Sequence, residues 1–224
     1  MLEKMGDFFD RRVEGYDEHQ LNCIESAREF LWYTAEKLPV NPECAILDLG
    51  CGTGLELEFY FKLNPSAKIT GIDLAPGMLE RLKEKFTDKD IELIVGSYFD
   101  VPFGAGIYDA AVSVESLHHF TAEEKIPLYK KIAAALKTSG FFIITDYFSL
   151  SDREEKQHRD TLLRLMKEQG LSDNEFYHYD TPLTVEHEKA CLKAAGFTRV
   201  EILKKWGVTY TIKAKVAGAQ HCRL

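Results

Sequence analysis

The stretch "AILDLGCGTGLELEFYF", residues 45–61, decides how this chain is read. An apolar run meets an acid, Asp48, and glycines follow at alternate positions, Gly50, Gly52 and Gly54. The pattern then turns helical at once. A plain strand-to-helix connection needs one glycine at most. Three in one turn imply that something comes very close to the backbone, since glycine permits both a sharp bend and an unscreened main chain. The helix starting there adds free N–H groups and partial positive charge.

Working outward, strands and helices alternate. Residues 45–49 read as a short apolar strand and 55–63 as a helix. "AKITGID" is a strand, and "PGMLERLKEKF" a helix with Pro76 in its first turn, where a missing N–H costs little. "IELIVGS", "YDAAVSV" and "GFFIITDYF" are further strands. Thr121 and Glu124 have capping-box spacing, while Pro127 argues that the main helix begins near 127 and runs to 137. Ser151 and Glu154 open a helix that Gly170 ends, and a last helix covers 184–195. The tail reads as two strands around Trp206–Gly207, too close for a parallel crossover and so an antiparallel hairpin. Before all this, Leu21, Ile24, Leu31, Ala35 and Leu38 recur at helical spacing, so 6–38 reads as helical until "LPVNPE" stops it. The fold class is therefore α/β: a doubly wound, mainly parallel sheet with an antiparallel C-terminal hairpin. The piece between about 149 and 183 holds an extra helix and is expected over the carboxyl edge of the sheet.

Composition sets limits. The chain of 224 residues is 45% hydrophobic and 29% charged, the balance of one globular domain. No apolar run nears the roughly 20 residues of a membrane span. No signal peptide is read at the N-terminus. The five cysteines, Cys23, Cys44, Cys51, Cys191 and Cys222, form no C-x-x-C pair, which suits reduced thiols in a cytoplasm. A net charge of −8 disfavours nucleic acid as a partner. The basic residues Arg153, Lys156, Arg159, Arg164 and Lys167 are interleaved with Glu154, Glu155, Asp160 and Glu168, as on a solvated helix face.

In open α/β sheets ligands bind beyond the carboxyl ends of the strands. Asp73 ends the second strand, where an acid takes the hydroxyls of a ribose. The spacing G-x-G-x-G after Asp48 differs from the dinucleotide fingerprint, and a carboxylate in the turn suits a cationic amine better than a pyrophosphate. Asp48 with its glycines resembles motif I of the class I S-adenosylmethionine-dependent methyltransferases. Asp73 matches the acid after that family's second strand. "GSYFD" (Gly96–Asp100) resembles the adenine-contacting segment, "YDAAVSVESLHHF" (Tyr108–Phe120) the fourth-strand motif of the small-molecule branch, and "LKTSGFFIITDYF" the approach to strand five. "FFDRRVEGYDEH" (Phe8–His19) resembles the N-terminal helix that closes over the cofactor there. Two departures stand out: Ala75 replaces a common Ser, and Thr138-Ser139-Gly140 replaces Pro-Gly-Gly.

The resemblance implies a seven-stranded Rossmann-like domain spanning 1–224, with a helical lid at about 6–38 and a cap insertion at about 149–183. It implies S-adenosyl-L-methionine as cofactor. Asp48 and the Gly50–Gly54 backbone, with Cys51 and Thr53 between, would hold the methionine end. Asp73 would hold the ribose, and Leu74, Met78, Ser97, Tyr98 and Phe99 would border the adenine. Tyr16, with Arg11 or Arg12, would reach the cofactor from the N-terminal helix, and Glu115 would sit at the same site. His118 and His119 are the candidates for acid/base work, or else shape the pocket. Adjacent histidines at one strand end lack the third and fourth donors of a zinc site, so no metal is expected. "NEFYHYD" (Asn174–Asp180) either lines an acceptor pocket or anchors a loop with its aromatics.

The implied activity is in-line methyl transfer to a small-molecule acceptor, in the cytoplasm. The acceptor and the oligomeric state, a homodimer among the options, stay open. Alternatives are a tRNA-modification enzyme that uses or converts the cofactor, and a non-catalytic cofactor-binding regulator. A nicotinamide oxidoreductase is argued against by Asp48 and the glycine spacing.

Overall fold

Seven strands form one sheet, with β1 (Ala45–Leu49), β2 (Lys68–Asp73), β3 (Asp90–Val95), β4 (Tyr108–Val114), β5 (Leu136–Tyr147), β6 (Phe197–Trp206) and β7 (Thr209–Val216). Their order is β3-β2-β1-β4-β5-β7-β6. The first five are parallel, and β7 runs antiparallel between β5 and β6. The coordinates are a computed structural model that describes residues 1–172 and 174–217. Asp173, in the stretch read as irregular, and Cys222 lie outside the described residues.

The strand order reverses between β1 and β4, which opens a crevice at their carboxyl ends. Both faces of the sheet are covered, as parallel sheets require. On β1 the alternation is direct: Leu47 and Leu49 join one buried cluster, while Ile46 joins the cluster on the opposite face. Each such side chain contributes about 1.5–3 kcal/mol by burial. The turn carrying the glycines is thus anchored on a strand packed from both sides.

The helices are α1 (Met5–Asp10), α2 (Tyr16–Cys23), α3 (Ala27–Lys37), α4 (Leu55–Leu63), α5 (Pro76–Lys85), α6 (Ala122–Ala135), α7 (Asp152–Gln169) and α8 (Val185–Ala194). The expected single helix over 6–38 is three. Gly15 (φ 82) and Ser26 (φ 59) both adopt left-handed backbone that breaks the run. Only α3 buries a face in the core, through Phe30, Leu31, Thr34 and Ala35; α2 buries no residue. The start of α6 also differs. The Thr121–Glu124 capping box closes, with Thr121 N–H donating to Glu124 Oε2 at 2.7 Å, so the helix begins at Ala122 and carries Pro127 inside it. A satisfied cap outweighs one lost backbone bond.

Residues 1–5 and the stretch after α7 are stitched together. Met5 N–H donates to Phe176 O and His178 N–H to Glu3 O, each at 2.9 Å. Thr181 N–H donates to His118 O at 2.8 Å. The helix α7 itself buries no residue. The stretch 174–183, rather than α7, therefore reaches the carboxyl edge of the sheet.

Candidate active site

The three glycines all have left-handed backbone, with φ of 72, 49 and 73 at Gly50, Gly52 and Gly54. They meet different neighbours. A Cβ on Gly50 would lie 2.1 Å from Ser116 Oγ, and one on Gly54 would press on Phe86 and Leu82 at 3.0 and 3.1 Å. A Cβ on Gly52 would meet nothing within 4 Å. So the protein's own packing accounts for two of the glycines, and Gly52 alone fronts open space. Its N–H donates to Asp73 Oδ2 at 2.9 Å, and Ala75 N–H donates to Asp73 Oδ1 at 2.9 Å. Burial raises the Asp73 pKa, opposed by these backbone donors.

A cleft opens above Gly52 and Asp73, with about 510 Å³ of space unfilled by protein, its open mouth included. Leu74, Met78 and Tyr98 line it together with Phe9, Tyr16, Glu115 and His119. It continues past Cys51 and Thr53 toward Glu56. Behind that lobe Asp48 is buried beside Glu56, and Asp48 Oδ2 and Glu56 Oε1 are both shielded from solvent. Burial, then the neighbouring Glu56, pushes the Asp48 carboxyl well above the usual range. The two carboxyl groups share a hydrogen bond, and Glu56 lines the lobe, where an acid suits a cationic group. Asp73 lies in the other part of the cleft, together with the apolar Leu74 and Met78. The residues therefore fit S-adenosylmethionine: amino group toward Asp48 and Glu56, ribose on Asp73, adenine between Leu74, Met78 and Tyr98.

A second, outer cavity of about 1200 Å³, again counting its open mouth, lies under α1 and α2. Phe9, Tyr16, Glu115 and His119 line both spaces and form the junction between them. Glu115 has φ 49, strained backbone for a residue with a side chain. Its Oε1 is buried without a hydrogen bond, and burial, then Asp146, raises its pKa to about 8. His118 is held from behind: its Nδ1 lies 2.6 Å from Asp146 Oδ1, and Asp146 Oδ2 accepts the N–H groups of Leu117 and His118. Burial lowers the His118 pKa, but Asp146 and then Asp180 more than offset it, so it ends raised. Burial, then His118, lowers His119 to about 4, leaving that imidazole neutral.

Of the expected site residues, Tyr16, Gly50, Gly52, Asp73, Leu74, Met78, Tyr98 and Glu115 line the main cleft, and Cys51 and Thr53 its inner lobe. Burial, then Asp48, pushes the Cys51 thiol well up, so it is an inert filler. Asp48 and Gly54 stand behind the turn. Ser97 and Phe99 line neither space: Ser97 Oγ accepts from Phe99 N–H, and the Phe99 ring packs on Phe120 and Phe176. Arg11 and Arg12 border the outer cavity and pair with Glu3. Within "NEFYHYD", Phe176 packs against the core cluster, while His178 and Asp180 line the outer cavity. Asp180 comes within reach of both histidines, supplying the third donor that the sequence did not place beside them. Phe9, Ser116, Glu56 and Tyr147 were not foreseen. The helical reading of 6–38 hid Phe9, and Ser116 announces itself only as the atom that forces Gly50.

A family profile described as a methyltransferase domain matches residues 46–140. The chain is similar to erythromycin 3''-O-methyltransferase of Saccharopolyspora erythraea, 28% identical over 80% of this chain and 58% of that one. It is similar also to carboxy-S-adenosyl-L-methionine synthase of Helicobacter pylori, 26% identical over 94% of this chain and 90% of that one. Human N-acetylserotonin methyltransferase, solved with its cofactor, superposes with a TM-score of 0.66 at 20% identity, over 95% of this chain and 56% of that one. The chain spans about half the length of the first curated relatives it matches. No helix among the described residues is long and apolar enough to cross a membrane.

Proposed function

Because the chain belongs to the class I S-adenosylmethionine-dependent methyltransferases, we propose that it methylates an oxygen of a small-molecule acceptor seated in the outer cavity. The observation that carries this reading is the junction: Phe9, Tyr16, Glu115 and His119 line the cofactor cleft and the outer cavity together. When bound, the cofactor supplies an electrophilic methyl group on a sulfonium and leaves as S-adenosylhomocysteine. The protein's task is to align the acceptor with that methyl and to exclude water. Effective molarity of this kind lowers a barrier by about 7–11 kcal/mol.

Phe9 and Tyr16 close the junction from the lid side. Asp17, next to Tyr16, accepts from Thr53 Oγ1 and pairs with Lys85 Nζ at 2.5 Å, which ties the lid helix to the glycine turn and to α5. Glu115 Oε1 is an unpartnered acceptor atom at the junction, so the ionised form of Glu115, favoured as pH rises toward about 8, takes the hydroxyl proton as the new C–O bond forms. Phe8, Tyr147, His118 and His178 line part of the cavity, beside the charged Arg11, Arg12, Glu14 and Asp180, a mixture that suits a flat, oxygen-bearing molecule.

The test is incubation of the protein with methyl-labelled cofactor and a panel of phenols, sugars and metabolite extracts. Label in a new ether or ester supports the reading; label that never leaves the cofactor argues against it. The high mutual coverage with the Helicobacter pylori synthase supports a second reading, carboxylation of the cofactor itself. Mass analysis of the recovered cofactor separates the two.

A further inference from the structure

Methyl transfer leaves one side-chain cluster of the outer cavity without an assignment: His118, His119 and Asp180. Asp180 Oδ1 lies 3.1 Å from His119 Nδ1 and 3.6 Å from His118 Nε2. One donor atom from each residue falls within 4.8 Å of the other two. An ion bonded to two imidazoles and a carboxylate at about 2.0–2.2 Å keeps its donors roughly 3.0–3.5 Å apart. The two separations from Asp180 Oδ1, 3.1 and 3.6 Å, already lie near that range.

Two further features point the same way. The far nitrogen of His118 is backed by Asp146 at 2.6 Å, and a carboxylate behind a ligating imidazole fixes its tautomer and aim. Independently, Glu115 Oε1 is shut from solvent and receives no hydrogen bond, and Asp180 Oδ1 is shut from solvent with only the two imidazoles beside it. Buried carboxylate oxygens in native proteins find donors or cations. Two contacts compete among the described residues: Tyr179 O lies 3.3 Å from His119 Nδ1, and the Tyr147 hydroxyl donates to Asp180; both would yield to an ion.

We propose that His118 Nε2, His119 Nδ1 and Asp180 bind a divalent transition-metal ion, of the zinc or iron(II) kind, open toward the outer cavity. Two imidazoles and one carboxylate favour such ions over magnesium or calcium, which prefer oxygen donors throughout. The open positions would take the acceptor's oxygens, so the substrate class narrows to molecules with two adjacent oxygens, such as a catechol or a hydroxyketone. A metal-held hydroxyl ionises more readily, and its proton passes to Glu115. This last part rests on the methyl-transfer reading; the ion site does not.

The experiment uses the tag-free full-length chain, stripped with chelator and titrated with zinc by calorimetry, with cobalt(II) substitution read in the visible spectrum. The expected result is one ion per chain and a ligand-field spectrum. Asp180→Asn and His119→Gln should each weaken zinc by at least roughly 100-fold while keeping a single cooperative thermal melt, which shows that they fold. His158→Gln, outside the cavity, should change nothing. Absence of stoichiometric zinc, or an Asp180→Asn chain that binds it like the parent, overturns the site. Zinc binding without any cofactor binding would leave the ion site standing and remove the methyl-transfer reading instead.

Discussion

Gly52 N–H donates to Asp73 Oδ2 at 2.9 Å, so the turn after the first strand and the acid ending the second form one unit. The acid keeps its remaining lone pairs for a ligand, while its bond to Gly52 holds the left-handed turn in place. Removing the carboxyl should therefore harm both. Asp73→Ala should weaken S-adenosylmethionine binding by about 1.5–3 kcal/mol, the value of a charge-assisted hydrogen bond. Titration calorimetry reads this; an unchanged affinity would mean that the ribose is not held there.

The glycines should respond unequally. Gly50→Ala drives a Cβ to 2.1 Å from Ser116 Oγ and should be severely destabilising, with partial rescue by Ser116→Gly. Gly52→Ala meets no atom within 4 Å and should cost the fold only the left-handed strain, about 1–2 kcal/mol, while obstructing the cofactor. Denaturant melts of the two variants test the ranking, and equal losses would contradict it.

Glu115 is a residue whose backbone strain is explained by its site. Glu115→Gly should stabilise the fold by up to about 1 kcal/mol, because glycine relieves φ 49 and removes an orphaned carboxyl, and should abolish methyl transfer. Glu115→Gln should leave cofactor affinity nearly intact and lower turnover by about 100-fold or more. Full turnover in Glu115→Gln would move the proton acceptor elsewhere.

The contact between α7 and α8 should be pH-dependent. His187 Nδ1 lies 2.9 Å from Glu155 Oε2, and that partner raises the imidazole pKa above 6.5. A raised folded pKa means that the pair's stabilisation is complete below 6.5 and fades as pH rises through the folded value. The melting-temperature gap between the parent and His187→Ala should be wider at about pH 6 than at about pH 8.5. A gap that stays constant, or widens with pH, would contradict the pairing.

The alternation of strands and helices, the antiparallel tail and the glycine turn were legible because each is a local pattern: a period, a cap or a breaker. Asp73 was legible because it closes a strand next to that turn. Asp180 was not, because its approach to His118 and His119 depends on where the stretch after α7 returns to the sheet edge. The pairing made by residues 1–5 was not legible for a related reason. Their partners, Phe176 and His178, lie near the other end of the chain, and no helical period signals such a pairing. Ser97 and Phe99 were assigned by resemblance; Ser97 Oγ accepts from Phe99 N–H, and the Phe99 ring packs on Phe120.

The account rests on a sulfonium nucleoside lying between Gly52 and Asp73. Calorimetric titration of the purified chain with S-adenosylmethionine, beside NADH, tests this most directly. Saturable binding of the sulfonium in the micromolar range, weakened by Asp73→Ala, with no heat from NADH, is the predicted result. Silence from the sulfonium, or tighter binding of NADH, would contradict the account.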